Sequence, residues 1–365
     1  MILSEHINER SGNTIVIGDK RDYETVLISN ILEADVSYIV NDPEGEYFDK
    51  MFTFLENQGY NVVNIGKGSS RCNIFSGMDT FGIRDFCMAL SPRNKVNRIV
   101  IEVMLRFCFY KIPPEDISIF SIKELLTDYQ GKYLDAVSEL KEASEEEGRI
   151  SFALMLNDGA IGRCLEPLFQ IDPDVEDVFM KRSEFNFEDI FTSRCAVFLK
   201  TPDEYAGIIY SAVSRRLMNY GDIFDFSKVQ AEEKEQGERI QAFIFLGNLA
   251  SCRIQNPDIA FGGSETFGFS FISYAGSLTE IEELYGKEKE AVLDYTKNMV
   301  FVRADNKKTA EYFCQFLSPS VMRPNEMLSR PEGLSIVFSK GEMPAFSDVF
   351  DVAKHPNYRY IKGKE

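Results

Sequence analysis

Between residues 14 and 65 the chain alternates short unbroken apolar runs with segments of helical spacing, and no other feature limits its fold as strongly. Residues 14–18 (TIVIG) read as a buried strand. Over residues 23–32, Val26, Leu27, Ile31 and Leu32 recur at helical spacing. Residues 36–40 form a second apolar run, closed by the turn signal Asp42-Pro43-Glu44-Gly45. Residues 47–58 are amphipathic through Phe48, Met51, Phe52 and Leu55, Gly59 ends them, and residues 62–65 form a third strand. Strands without polar alternation bury both faces. The order strand–helix–strand–helix–strand therefore predicts a parallel sheet covered by helices on both sides.

From residue 80 to 188 the strand signal disappears. KVNRIVIEVMLRFCFY, IKELLTDYQGKYLDAVSELKEASEEEGR and RCLEPLFQI read as helices, with Glu145-Glu146-Glu147 as a solvated helix end. Strands resume at CAVFLKT, which leads into a helix from Pro202 with Ile209, Val213 and Leu217 on one face. IQAFIFLGN, FGFSFIS, MVFVRAD and GLSIVFSKG follow as strands, separated by helices at LTEIEELYG and NKKTAEYFCQFL. The polar residues 225–239 read as an exposed loop. The expected architecture is one α/β domain built from residues 1–79 and 189–365, with an all-helical domain, residues 80–188, inserted in it.

A length of 365 residues suits two domains of ~100–200 residues each. A net charge of −18 argues against general affinity for polyanionic DNA or anionic lipid. Seven scattered cysteines without a C-x-x-C read as buried, reduced thiols. His6 and His355 are the only histidines, too few for a histidine-based metal site or triad. The polar start MILSEHINERSGN is no signal peptide, and no apolar run reaches the ~18–20 residues that span a bilayer. The expectation is a cytoplasmic protein with no metal or cofactor of its own. It would not insert into a membrane by itself and would reach its inner face only through a partner.

The junction at Gly18 is where a phosphate-binding loop would sit. The pattern G-x-x-x-x-G-K-[ST] works because glycines let backbone N–H groups point at phosphate, the lysine neutralises it and the hydroxyl holds Mg²⁺. Laid on this chain, Gly18 takes the first position and Thr25 the last, but Tyr23 replaces the second glycine and Glu24 the lysine. Tyr23 brings a Cβ to a place where such a loop needs left-handed freedom. Glu24 sets a carboxylate against a triphosphate, a repulsion of roughly 4 kcal/mol per charge pair at ~4 Å and an effective dielectric of ~20. Lys20 and Arg21 are the substitute cations available. The acidic pair that would hold Mg²⁺ belongs at the end of AFIFLGNLAS, where Leu246 and Gly247 stand. Lys67, Arg71 and Ser214-Arg215-Arg216 are candidates for a local, weak DNA contact.

Several stretches follow in the order seen in TraG/VirD-type coupling proteins, the ATPases of conjugative type IV secretion, and the chain resembles that family. They are ILSEHI, the Gly18 junction, DPEGEYFDKMFTFLENQGYNVVNI and CNIF. The family's D-P-K-G-E is here Asp42-Pro43-Glu44-Gly45-Glu46, and its G-Y/H-x-V is Gly59-Tyr60-Asn61-Val62. RCAVFLKTPD, YGKEKEAVLDYTKNMVFVRADNKKTAEYF and the tail FDVAKHPNYRY resemble later family segments, so only the helical insertion matches weakly. The resemblance implies a RecA/FtsK-like, P-loop NTPase-type α/β fold with an all-helical domain that in relatives receives DNA-processing cargo. Against the family pattern, the D-E-F-A-N box has become Leu246-Gly247-Asn248-Leu249-Ala250, R-S-R has become Gly262-Gly263-Ser264, and a strand glutamine has become Ser273. The transmembrane helices that open family members have no counterpart in this sequence.

Three readings follow. The first is a catalytically silent relative, a pseudo-ATPase, that binds an intact coupling protein, a relaxase or another secretion component. The second is an ATP-dependent coupling ATPase with a rearranged nucleotide site. The third is direct DNA binding. A monomer or mixed complex is expected in preference to a homo-hexamer.

Overall fold

The computed structural model describes residues 12–143, 147–223, 240–303, 306–317, 321–329, 333–349 and 351–361. The segments ILSEHI and 225–239, and Glu145 and Glu146, lie outside them. The chain divides into two compact units. One comprises Met1–Asn64, Glu188–Glu204 and Met218–Glu365, the other Ile65–Phe187 and Tyr205–Leu217.

The first unit is built on a nine-stranded sheet. Its strands are β1 (Thr14–Ile17), β2 (Ser37–Asn41), β3 (Asn61–Ile65), β4 (Cys195–Leu199), β5 (Ala242–Asn248), β6 (Phe269–Ala275), β7 (Asn298–Phe301), β8 (Leu334–Ser339) and β9 (Ala345–Asp348). They lie in the order β3-β4-β2-β5-β6-β1-β7-β8-β9. β1 pairs in parallel with β6 and β7, and β2 in parallel with β4 and β5. β8 and β9 add an antiparallel hairpin at one edge. This is the α/β architecture expected from the unbroken apolar runs, with an antiparallel edge that the sequence pattern did not announce.

The apolar runs of β1, β2 and β4 are buried along their whole length. On one sheet face Val16, Tyr38, Val40, Phe198, Phe243 and Phe245 pack with Val26, Leu27 and Ile31 of α1 (Lys20–Glu33) and Met51, Phe54 and Leu55 of α2 (Glu46–Asn57). Each such side chain contributes about 1.5–3 kcal/mol on burial. Near the chain end, His355 Nε2 lies 2.8 Å from Glu33 Oε1 and Asn357 Nδ2 donates to the Leu32 carbonyl, which fastens the tail to the end of α1.

The second unit contains the helices α3 (Thr80–Leu90), α4 (Lys95–Lys111), α5 (Ile119–Asp128), α6 (Tyr133–Ala143), α7 (Glu147–Ala153), α8 (Asp158–Phe169) and α9 (Pro173–Phe179). It also takes Tyr205–Leu217 of α10 (Asp203–Ile223). The stretch IKELLTDYQGKYLDAVSELK is two helices: it breaks at Gly131, whose φ of 78° suits glycine and ends α5 before α6 begins. Sequence pattern placed the helical piece at 80–188, whereas the compact unit starts at Ile65. Its first residues are held by α9 and the chain after it, through Cys72 N–H to the Val178 carbonyl and Ile74 N–H to the Phe179 carbonyl. Glu102 of α4 is buried and meets Arg84, Arg106 and Arg149.

Candidate functional site

In open parallel sheets ligands sit beyond the carboxyl ends of the strands. At that edge α1 begins at Lys20, not Tyr23, so only Gly18 and Asp19 separate it from β1. The phosphate-loop pattern set Tyr23 at a position that favours left-handed backbone, while the apolar spacing read residues 23–32 as helix. Tyr23 is an ordinary helical residue, and positive φ occurs elsewhere. The reason lies in Asp19 and Asp22. Asp19 Oδ1 accepts from the N–H groups of Arg21 (2.8 Å) and Asp22 (3.1 Å), and Asp22 Oδ2 accepts from Asp19 N–H (2.9 Å). This reciprocal capping box starts the helix early.

Gly18 N–H donates to the Ala275 carbonyl and Tyr23 N–H to the Asp19 carbonyl. From Gly18 to Tyr23 only the Lys20 N–H has no partner among the described residues. A Cβ at Gly18 would stand 2.5 Å from Asp22 Oδ2, so glycine here makes room for the chain's own carboxylate. Arg303, just past β7, completes the arrangement. Its Nε lies 3.0 Å from Asp22 Oδ2, and its guanidinium also reaches Asp22 Oδ1 (3.1 Å) and Asp19 Oδ2 (3.5 Å).

Tyr23 is buried, its ring packed on Phe245 and Tyr274. Its hydroxyl accepts from Gly247 N–H at 3.1 Å, tying α1 to the end of β5. Burial holds this phenol well above its ordinary pKa, and the Gly247 N–H opposes that only in part. Gly247 has a φ of 78° and sits where the β5–β6 register shifts after Phe245. Leu246 is fully buried, and its carbonyl accepts from Asn41 Nδ2 at 3.1 Å. Ser273 pairs beside Gly247, and its buried hydroxyl and Asn41 Oδ1 have no partner among the described residues. Ser264, at the R-S-R position, donates to Asn13 Oδ1 and the Phe261 carbonyl inside α11 (Pro257–Ser264).

The remaining loop positions face other tasks. Glu24 accepts from the Tyr47 hydroxyl at 2.9 Å and has Lys20 Nζ 3.7 Å away. Thr25 donates to the Arg21 carbonyl at 3.1 Å. Lys20 and Arg21 are exposed. In the neighbouring turn, Asp42 accepts from the N–H groups of Tyr47 and Phe48 and so caps α2. Burial raises its pKa, with those two N–H groups and the nearby Lys200 opposing the rise. Gly45, φ 77°, closes the turn through its N–H to the Asp42 carbonyl, and Lys200 lies against it. Pro43 is exposed and Glu46 pairs with Lys50 on the surface.

The structure therefore brings Gly18, Tyr23 and Gly247 into one site but turns Glu24 and Thr25 to contacts within the helices. Sequence reasoning missed Asp19, Asp22 and Arg303. The D-x-x-D spacing was a legible capping signal, whereas Arg303 is 281 residues from Asp22 and carries none. The basic residues singled out in the second unit are paired: Lys67 with Asp174, Arg71 with Asp177 and Arg215 with Asp85, while Arg216 lies over the Phe187 ring. Among the described residues no group of three or more His, Cys, Asp or Glu is placed to hold a metal ion. No helix among them is long and apolar enough to cross a membrane.

A mostly parallel sheet with β1 between two parallel neighbours and helices packed against it is an α/β fold. Comparison with solved structures agrees and narrows it. The bacterial conjugative coupling protein TrwBdeltaN70 in its unbound form matches with a TM-score of 0.60 at 15% identity, over 92% of this chain and 84% of that one. TrwB in complex with the non-hydrolysable ATP analogue ADPNP matches at 0.62 and 14% identity, over 93% and 85%. VirB4 of Thermoanaerobacter pseudethanolicus matches at 0.56 and 11% identity, over 94% and 90%. The chain thus shares its fold with these solved proteins. No family model matches the sequence, and no curated protein does.

Proposed function

We propose that the chain is a degenerate member of the TraG/VirD-type family, a non-hydrolysing, coupling-protein-like component of a conjugative type IV secretion system. It acts by binding proteins, among them an intact coupling protein, a relaxase or another part of the machinery. One observation carries this reading: the N–H groups that a phosphate would need are taken by Asp19 and Asp22, themselves neutralised by Arg303. A triphosphate would have to displace two carboxylates, and the strand end offers Leu246 and Gly247 where Mg²⁺ needs an acid. Neither nucleotide nor Mg²⁺ fits these residues as they stand. The α/β domain at 1–79 and 189–365 would serve as the scaffold, and the helical domain at 80–188 as the surface for cargo. The protein would work in the cytoplasm, held near the membrane by its partner. The paired state of Lys67, Arg71 and Arg215 leaves at most weak DNA binding.

Isothermal titration with ATP and Mg²⁺ tests the reading: no heat of binding is expected up to millimolar nucleotide, and micromolar binding would overturn it. Such binding would favour the second reading, a coupling ATPase with a rearranged site, which has in its support that TrwB has been solved with nucleotide analogues. Against it, Lys20 extends into solvent and its nearest anion is Glu24.

A further inference from the structure

Two buried polar atoms at the strand ends have no task in that reading. Ser273 is fully buried and Asn41 is 8% exposed, yet the Ser273 hydroxyl and Asn41 Oδ1 meet no partner among the described residues. Buried polar groups are almost always hydrogen-bonded, because leaving one unpaired costs its full desolvation. The Asn41 amide is fixed in orientation. Its nitrogen faces the Leu246 carbonyl, which can only accept, so its oxygen is the atom left over.

The two atoms share one face of the sheet. Tyr38 and Val40 of β2 and Ile272 of β6 pack in the core with α1 and α2. Side chains alternate along a strand, so Asn41 and Ser273 both lie on the opposite face. Between them runs β5, and both border the same residue of it. Ser273 is the register partner of Gly247, and the Asn41 amide nitrogen would lie 3.4 Å from a Cβ placed on Gly247. Beyond the chain neighbours of Gly247, no other atom of the described residues would come within 4 Å of that Cβ. Room of atomic size therefore stands beside Gly247, next to both polar atoms. Gly247 itself is half-buried, which gives solvent a way in. We infer that one water molecule sits there, donating to Asn41 Oδ1 and hydrogen-bonded to the Ser273 hydroxyl, and so joins β2 to β6 across the bulged end of β5. Room and at least two polar partners are the conditions for a buried water, and an apolar site of the same size would stay dry. The bridge lies on the face away from α1, so it stands whether or not the α1 junction binds nucleotide.

A high-resolution crystal structure of the full chain tests this directly. Solvent density at about 2.5–3.0 Å from both Asn41 Oδ1 and Ser273 Oγ is expected. No density, density bonded to one of the two alone, or a direct Asn41–Ser273 hydrogen bond would overturn the inference. Urea unfolding gives a second readout, through the sign of one substitution. With water on the hydroxyl, Ser273→Ala loses a hydrogen bond, and the folding constant should fall about three- to tenfold. With the hydroxyl unpaired, the same substitution removes a buried penalty; a folding constant that holds or rises would overturn the bridge. Asn41→Ala combined with Ser273→Ala should cost less than the product of the two single losses, because the first deletion already releases the water. Fully independent effects would show that the two side chains share no molecule.

Discussion

At the end of β1 the chain reaches α1 in two residues, Gly18 and Asp19; at the end of β2 it takes four, Asp42 to Gly45, to reach α2. Both helices begin on N–H groups that donate to an aspartate of the chain itself. At the second junction Asp42 serves residues five and six positions ahead, and no salt bridge to it is seen among the described residues, although Lys200 lies beside it. The first draws in Arg303 from beyond β7 and, through Tyr23, Gly247 at the end of β5. A helix N-terminus at a sheet edge attracts anions, and an NTPase leaves that attraction to its substrate. In this chain the first junction gathers Asp19, Asp22, Arg303 and, through Tyr23, Gly247, and so links the ends of three strands.

If the first junction is a joint, breaking it should cost more than breaking a cap. Tyr23→Ala removes a buried ring and its hydrogen bond to Gly247, and should destabilise the first unit by about 3–5 kcal/mol. Urea unfolding followed by tyrosine and far-ultraviolet signals measures it; a loss below about 1 kcal/mol would mean Tyr23 joins nothing. Arg303→Met comes next. It leaves the buried Asp22 carboxylate without its guanidinium, but Arg303 is 44% exposed and water makes up part of the loss. About 1–3 kcal/mol is expected, the range for stranding a buried charged acceptor. Added Asp22→Asn should recover part of it, and failure of that rescue would show that Arg303 acts by packing alone.

How far this contrast was legible in the sequence depends on the range of the forces involved. The unbroken apolar runs TIVI, SYIVN and CAVFL specified strands buried on both faces, and they form as read. The edge hairpin was less legible because β9, AFSD, is short and exposed and has no apolar pattern to read. At the site, the replacement of glycine and lysine by Tyr23 and Glu24 was visible, and the helix was read from residue 23; the capping pair Asp19 and Asp22 starts it at Lys20, and Glu24 meets Tyr47. Local capping chemistry is written in four residues; Arg303 and Gly247 arrive only through the sheet order, which single-sequence pattern does not encode.

The smallest expected effect concerns the second junction and sharpens the contrast through pH. Burial raises the Asp42 pKa above its unfolded value of about 3.9, despite the two N–H groups it accepts. A carboxyl raised on folding contributes stability that is fully present below the unfolded pKa and is lost as pH rises through the folded one. Ionised Asp42 is therefore a cost near neutrality that recedes on acidification. Asp42→Asn keeps one amide oxygen to accept an N–H and never ionises, so at pH 7 it should lie within about 1 kcal/mol of wild type. As pH falls from 7 toward 4, wild type should gain on Asp42→Asn, because all other groups are common to both chains. Paired urea midpoints at pH 7 and pH 5 decide it. A gap that stays constant, or moves in favour of the asparagine chain, would mean that Asp42 is stabilised as an anion after all.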